Sequence, residues 1–160
     1  MDKNEFVEKV LATESTLYHM AKTILIQDAD CENAVQETIL KAYQKLDTLK
    51  DVDYFKTWLV RILLNECYRL KRIERPQVSY EEYFADSLAE NRENYTELYL
   101  AIQRLPQNIR IPVILYYVEG YSIEEIKRIM KIPSGTVKSR LAKGRKLLKQ
   151  NLQKMEVIYE

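Results

Sequence analysis

Helix-breaking residues are so scarce in this chain that little besides α-helix can account for most of it: 160 residues contain three glycines and four prolines. Sheet-rich domains need turn residues at short, regular intervals, and glycine and proline supply most of them because they hold backbone angles other residues avoid. Leu, Ile, Lys, Glu and Ala are plentiful instead, which predicts long helices with short connections and an all-α fold. With 46% apolar and 31% charged residues, the chain can bury a core and keep a soluble surface.

Apolar periodicity divides the chain into two helical lobes joined by a linker, over residues 1–75, 76–97 and 98–160. In the first lobe, Asn4 is placed to cap a helix with Phe6, Val10, Leu11, Leu17, Tyr18, Ala21 and Ile24 inward. A second helix from about Cys31 carries Ala34, Val35, Thr38, Ile39, Ala42, Tyr43 and Leu46. A third, with Asp53 as its cap, carries Phe55, Trp58, Leu59, Ile62, Leu63, Cys67 and Leu70. Residues 47–53 read as a polar loop. The linker starts at Pro76, is acidic and lacks periodicity, with room for one helical turn near Tyr83 and Phe84. In the second lobe, Leu98, Ala101, Ile102 and Leu105 mark one helix. Pro112 restricts the next to about 112–119, where Gly120 stops it.

Charge follows the same division. The net formal charge is −1 over residues 1–75, −5 over 76–97 and +7 over 98–160, so a total of +1 conceals a basic lobe suited to a polyanion. Ser122 and Glu125 have capping-box spacing ahead of Ile123, Ile126, Ile129 and Met130. Lys131, Ile132 and Pro133 interrupt that helix, and Ser134 is placed to cap another from Gly135. The junction of about four residues is the length of a helix-turn-helix connection.

Residues 132–149 hold six lysines and arginines and no acid. At about 100° per residue, Val137, Leu141, Gly144 and Leu148 share an inward sector, opposite Ser139, Ala142 and Lys146. Lys138 and Lys143 border the outer face, and Arg140 and Arg145 lie at its flanks, within reach of phosphates on either wall of a groove. Thr136 adds a neutral donor at the helix start. Small side chains at Ser139 and Ala142 permit close approach to base edges, so this face fits a DNA major groove.

These motifs resemble those of the extracytoplasmic-function sigma factors, the small two-domain sigma subunits of bacterial RNA polymerase. "LPQNIRIPVILYYVEGYSIEEIKRIMKIPSGTVKSRLAKGRKLL" is similar to the family's C-terminal pattern, "CENAVQETILKAYQKL" to its "EDAVQETFLKAY" helix, and "FKTWLVRILLNECYRLKR" to its "FRTWLYRIARNxxxDxxRR" helix. The resemblance covers nearly the whole chain. It implies that the C-terminal domain reads the minus-35 promoter element, with Lys138, Ser139, Ala142 and Lys143 toward bases and Thr136, Arg140, Arg145 and Lys146 toward the backbone. It implies that Gln36 and Glu37 dock on the β′ clamp helices of core RNA polymerase. Asp47, Thr48, Leu49, Lys50, Asp51, Val52, Asp53 and Tyr54 match the family's loop for a flipped minus-10 base, and Asn65, Arg69, Lys71 and Arg72 follow on the helix that meets the opened strand. The acidic linker would thread through the polymerase. An anti-sigma protein is a further implied partner. Asn33 stands where the family usually has an acid, Lys127 where it has a small residue, and Gly144 where Ala is common.

Other functions fit less well. A freestanding helix-turn-helix regulator would leave the "QET" helix unexplained, and a helical adaptor would use the basic face on an acidic protein. No glycine-rich phosphate loop, HExxH or recognisable nucleophile motif points to an enzyme, a cofactor or a small-molecule substrate. Cys31, Cys67 and the single His19 have no metal-site spacing and read as packing residues, as do the twelve tyrosines. The charged start "MDKNEFVEKV" is unlike a signal peptide, and no segment approaches the roughly 18 apolar residues of a membrane span. A cytoplasmic protein without membrane insertion is expected.

Overall fold

Residues 1–73 and 97–159 are described by the computed structural model, with the side chains of 1–72 and 97–154, and the scarcity of helix breakers is realised there as seven α-helices and no strand. They are α1 (Lys3–Ile24), α2 (Asp28–Gln44), α3 (Phe55–Ile73), α4 (Glu97–Gln103), α5 (Gln107–Val113), α6 (Ile123–Met130) and α7 (Ser134–Tyr159). The chain divides into two compact units. The expected helical turn at Tyr83 and Phe84 lies outside the described residues, as does all of the linker except Glu97, which opens α4.

In the N-terminal unit α1, α2 and α3 pack pairwise. The cap of α1 is Asp2 rather than Asn4: Asp2 is extended and its carboxylate accepts from the Glu5 N–H at 2.8 Å, so Asn4 already lies in the first turn. The second helix starts at Asp28, ahead of Cys31, with Asp28 and Asp30 favourably placed at the positive end of its dipole. Asp51, not Asp53, makes the cap before α3. Its carboxylate accepts from the Asp53 N–H at 3.0 Å and opens a 3₁₀ turn, Val52–Tyr54.

Phe6, Leu17, Met20, Val35, Leu59 and Leu63 form the middle of this core. Leu11 and Tyr43, expected inward, are exposed at 64% and 50%. Leu11 lies about 100° around the helix from buried Val10, on the side that turns to solvent. Tyr43 instead lays its ring against buried Phe6, centroids 5.4 Å apart. Because α3 touches both other helices, its buried arc is wider than one stripe. Val60 and Leu64 are buried, while Trp58 and Ile62 are half-buried.

The C-terminal unit seats α7 against α4 and α5. Ala101, Leu105, Ile109, Ile111, Val113 and Leu115 line its core, whereas Leu98, expected inward, is exposed. Arg110 is 2% exposed, and its Nη1 donates to the carbonyls of Gln103 at 2.9 Å and Leu105 at 3.4 Å. A guanidinium thus fastens the end of α4 to the turn that starts α5, satisfying carbonyls a helix terminus leaves unpaired. Regular helix precedes Pro112 rather than following it. Proline lacks the N–H that would bond to the Asn108 carbonyl, and the chain continues as a π-helical turn, Ile114–Val118, closed by the Glu119 N–H on the Ile114 carbonyl at 2.9 Å. Gly120, with φ +76°, then reverses direction in the left-handed region open to glycine.

Gly144 decides how closely α7 can approach α5. A Cβ on it would lie 2.5 Å from Val113 Cγ2 and 3.3 Å from Ile109 Cγ2, inside normal contact. Val113 is β-branched, stiff and 1% exposed, so it has little room to yield. Gly144→Ala should gain up to ~1 kcal/mol of helix propensity and lose about 1–3 kcal/mol to overpacking, for a net destabilisation. In denaturant melts Val113→Ala should recover part of that loss when combined with it. A Gly144→Ala protein more stable than the parent would contradict the close approach as the reason for glycine.

Candidate nucleic-acid interface

Helices α6 and α7 are joined through a tight corner. The capping box that opens α6 is reciprocal: the Glu125 N–H donates to Ser122 Oγ at 3.1 Å and the Ser122 N–H to Glu125 Oε1 at 3.0 Å. The connection is Lys131 to Pro133, with Lys131 in the left-handed conformation at φ 55°. It is one residue shorter than expected because Ser134 is already helical. The N–H groups of Thr136 and Val137 donate to the Pro133 carbonyl at 3.0 and 3.1 Å, so Pro133 stands where Ser134 was expected to cap.

Along α7, Val137, Leu141 and Gly144 are buried and Leu148 is half-buried. Lys138, Ser139, Ala142, Lys143, Arg145 and Lys146 are exposed, and Thr136 and Arg140 are half-buried at the edges. The face therefore carries cations around two small side chains. Ser139 Oγ donates back to the Thr136 carbonyl at 3.1 Å, which folds the hydroxyl against the helix and keeps that part of the ridge low. Arg145 Nη1 donates to the hydroxyl of Tyr117 at 2.9 Å. Lys127, at the usually small position of α6, is exposed and lies 3.9 Å from Glu124, clear of the helix packing.

A second group of candidate residues lies on the N-terminal unit. Gln36 is exposed and Glu37 half-buried on α2. Residues 46–54 hold two 3₁₀ turns joined by an irregular stretch at 49–51 rather than a plain loop: Leu46–Thr48, where Thr48 Oγ1 donates to the Lys45 carbonyl at 2.6 Å, and Val52–Tyr54. Asp47, Thr48, Lys50, Asp51, Asp53 and Tyr54 are exposed, with Leu49 and Val52 half-buried. On α3, Asn65, Lys71 and Arg72 are exposed, and Arg72 Nε donates to the Tyr68 carbonyl at 3.3 Å.

Arg69 is held by a residue that periodicity alone did not single out. Glu66 keeps only 5% of its side chain exposed, accepts from Arg69 Nε at 3.0 Å and is paired with Lys41 of α2. Burial pushes this carboxyl upward, but the Lys41 ammonium and Arg69 guanidinium outweigh it and hold Glu66 below the usual carboxylate value. The available signal was an acid inside the apolar side of α3, with cations able to meet it. Cys31 and Cys67 are buried free thiols, and burial pushes Cys67 up to about 12, which disfavours the reactive thiolate. Among the described residues no group of acid, cysteine and histidine side chains is placed to hold a metal, and no helix is long and apolar enough to cross a membrane.

Comparison with known proteins gives this geometry a context. Residues 10–76 match the Sigma-70 region 2 family and residues 95–148 match Sigma-70, region 4. The chain is 29% identical to the ECF RNA polymerase sigma factor SigW of Bacillus subtilis over 95% of its own length and 91% of that protein. It is 30% identical to the ECF RNA polymerase sigma-E factor of Escherichia coli K12, over 80% of this chain and 76% of that one. Among solved structures, CnrH in complex with the cytosolic domain of CnrY is similar with a TM-score of 0.73 and 25% identity, covering 95% of this chain and 90% of that one.

The Glu66 network has a measurable pH signature. Its folded carboxyl titrates below the unfolded one, so its contribution is complete above the unfolded value and disappears as pH falls through the lower folded value. Glu66→Gln should cost about 1–3 kcal/mol in denaturant melts above about pH 5, with the difference from the parent narrowing below about pH 4. A difference independent of pH would show that the carboxylate charge is not what matters there.

Proposed function

Because this chain belongs to the ECF family of RNA polymerase sigma factors, we propose a division of labour among its residues. Residues 98–160 read the minus-35 element: Lys138, Ser139, Ala142 and Lys143 meet base edges in the major groove, and Thr136, Arg140, Arg145 and Lys146 grip the backbone. The observation that carries this reading is the composition of the outer face of α7, six cations without an acid around a low ridge of Ser139 and Ala142. Counterion release from phosphate supplies affinity and the close fit of small side chains supplies discrimination.

Residues 1–75 bind core polymerase through Gln36 and Glu37 toward the β′ clamp helices and hold the minus-10 element. Residues 47–54 take a flipped base, whose unstacking is compensated by contacts in its pocket, and Asn65, Arg69, Lys71 and Arg72 follow the opened strand. The arrangement in which Glu66 orients Arg69 supports a strand-facing role for that arginine. The acidic segment 76–97 joins the two domains. All bond-making chemistry is left to polymerase, no cofactor is involved, and the chain acts with polymerase in the cytoplasm. An anti-sigma protein is the third partner, consistent with CnrH having been solved bound to the cytosolic domain of CnrY. A freestanding regulator is not favoured, since it has no use for a region 2 domain over residues 10–76.

Core polymerase reconstituted with this chain should initiate at specific promoters, and transcript start mapping would identify them. Gln36→Ala with Glu37→Ala should lower that transcription while DNA binding is retained; equal loss of both activities would contradict the assignment. In the DNA-binding domain, Lys143→Ala should change sequence preference in a selection from randomised duplexes. Arg145→Ala should weaken binding to all sequences and lower the salt slope by about one. Indistinguishable effects of the two substitutions would overturn the split between base and backbone residues.

A further inference from the structure

Tyr117 stands out as an exposed aromatic residue that the preceding assignment does not use. It lies in the π-helical turn after Pro112, where Tyr116, Tyr117 and Val118 are 38%, 49% and 60% exposed. Three consecutive large side chains facing outward are unusual in a helical segment, and wide turns of this kind often occur at functional sites. The Tyr117 ring is braced edge-on by Tyr116, with centroids 4.9 Å apart at 84°. Its hydroxyl, 28 residues away in sequence, accepts from Arg145 Nη1 at 2.9 Å. Among the described residues Arg145 has no carboxylate partner, so this phenol is what orients its guanidinium.

We propose that Tyr117 and Arg145 form one phosphate clamp on the DNA backbone, with Tyr117 as the positioning residue and a second donor. The proposal rests on the reading of α7 as the DNA-facing helix. The chemistry is complementary: a phenolic oxygen that accepts from arginine with a lone pair still has its own O–H to donate, and the guanidinium still has other N–H groups. One phosphate can then receive a charge-assisted bond from Arg145 and a neutral bond from Tyr117. Arginine loses rotamer freedom when it binds. A hydroxyl that holds the fork before DNA arrives reduces that loss. Such a clamp reads no sequence and strengthens binding to any duplex.

The test uses the full chain and a labelled duplex of mixed sequence, titrated by fluorescence anisotropy over a range of salt concentrations. Tyr117→Phe keeps the ring and removes the hydroxyl, and should weaken binding roughly threefold to tenfold with an unchanged salt slope, because the lost donor is neutral. Arg145→Ala should weaken binding further and lower the slope by about one. The double variant should lose clearly less than the product of the two single effects, since without Arg145 the hydroxyl has no fork left to position and contributes only its own neutral bond. Independent, multiplicative effects, or a Tyr117→Phe protein that binds like the parent while Arg145→Ala is weakened, would overturn the clamp and leave the DNA-facing reading of α7 intact. If Lys143→Ala and Arg145→Ala both bind like the parent, that reading fails and the clamp falls with it. A melting midpoint for Tyr117→Phe equal to the parent's separates loss of contact from loss of fold.

Discussion

The seating of α7 on α5 is the constraint from which the rest of the C-terminal unit follows. Val137 and Leu141 are buried and Gly144 has no side chain, so the helix can settle against Val113 and Ile109 along one narrow line. Everything on the opposite side is thereby directed to solvent. Six cations within eighteen residues repel one another, and no acid in that stretch relieves them. Apolar burial on one side of the helix holds in place a charge density on the other side that is satisfied when phosphate arrives.

Buried charged groups fix the frames that present these surfaces. Arg110 uses its guanidinium on the main-chain carbonyls of Gln103 and Leu105, which ties the entry of α5 to the end of α4. Glu66 ties α2 to α3 through Lys41 and holds Arg69 with its second oxygen. Each would be costly to bury alone, and each is bonded on more than one side. In the N-terminal unit the buried Glu66 joins the two helices that carry Gln36, Glu37 and Arg69, and in the C-terminal unit the buried Arg110 fixes the α4–α5 pair on which α7 is seated.

Much of this was legible in the amino-acid sequence, for identifiable reasons. The Ser122–Glu125 box, the inward Val137–Leu141–Gly144 line and the outward cations are local patterns at helical spacing, and the structure has each of them. Starts of helices were harder to place. Asp2 for Asn4, Asp51 for Asp53 and Pro133 for Ser134 are small displacements along the chain, decided by which oxygen the first free N–H groups reach. The π-helical turn after Pro112 could not be read from period alone, because it changes the period. Tyr117 was obscured with it: a tyrosine in an apolar run looks like packing until Arg145, distant in sequence, is found against its hydroxyl. Glu66 was missed for the related reason that its two partners lie on different helices.

The most direct test of the account is to place a DNA-cleaving iron chelate on α7 in the reconstituted holoenzyme. Ala142→Cys supplies an exposed thiol at the centre of the ridge, and the native Cys31 and Cys67 are buried, so labelling is directed to the new site. Hydroxyl-radical cleavage of a promoter this holoenzyme uses should then centre on the minus-35 major groove, on both strands. Cleavage confined to the region near the start site, or none above that from free chelate, would contradict the central claim that this helix face is the promoter-reading surface.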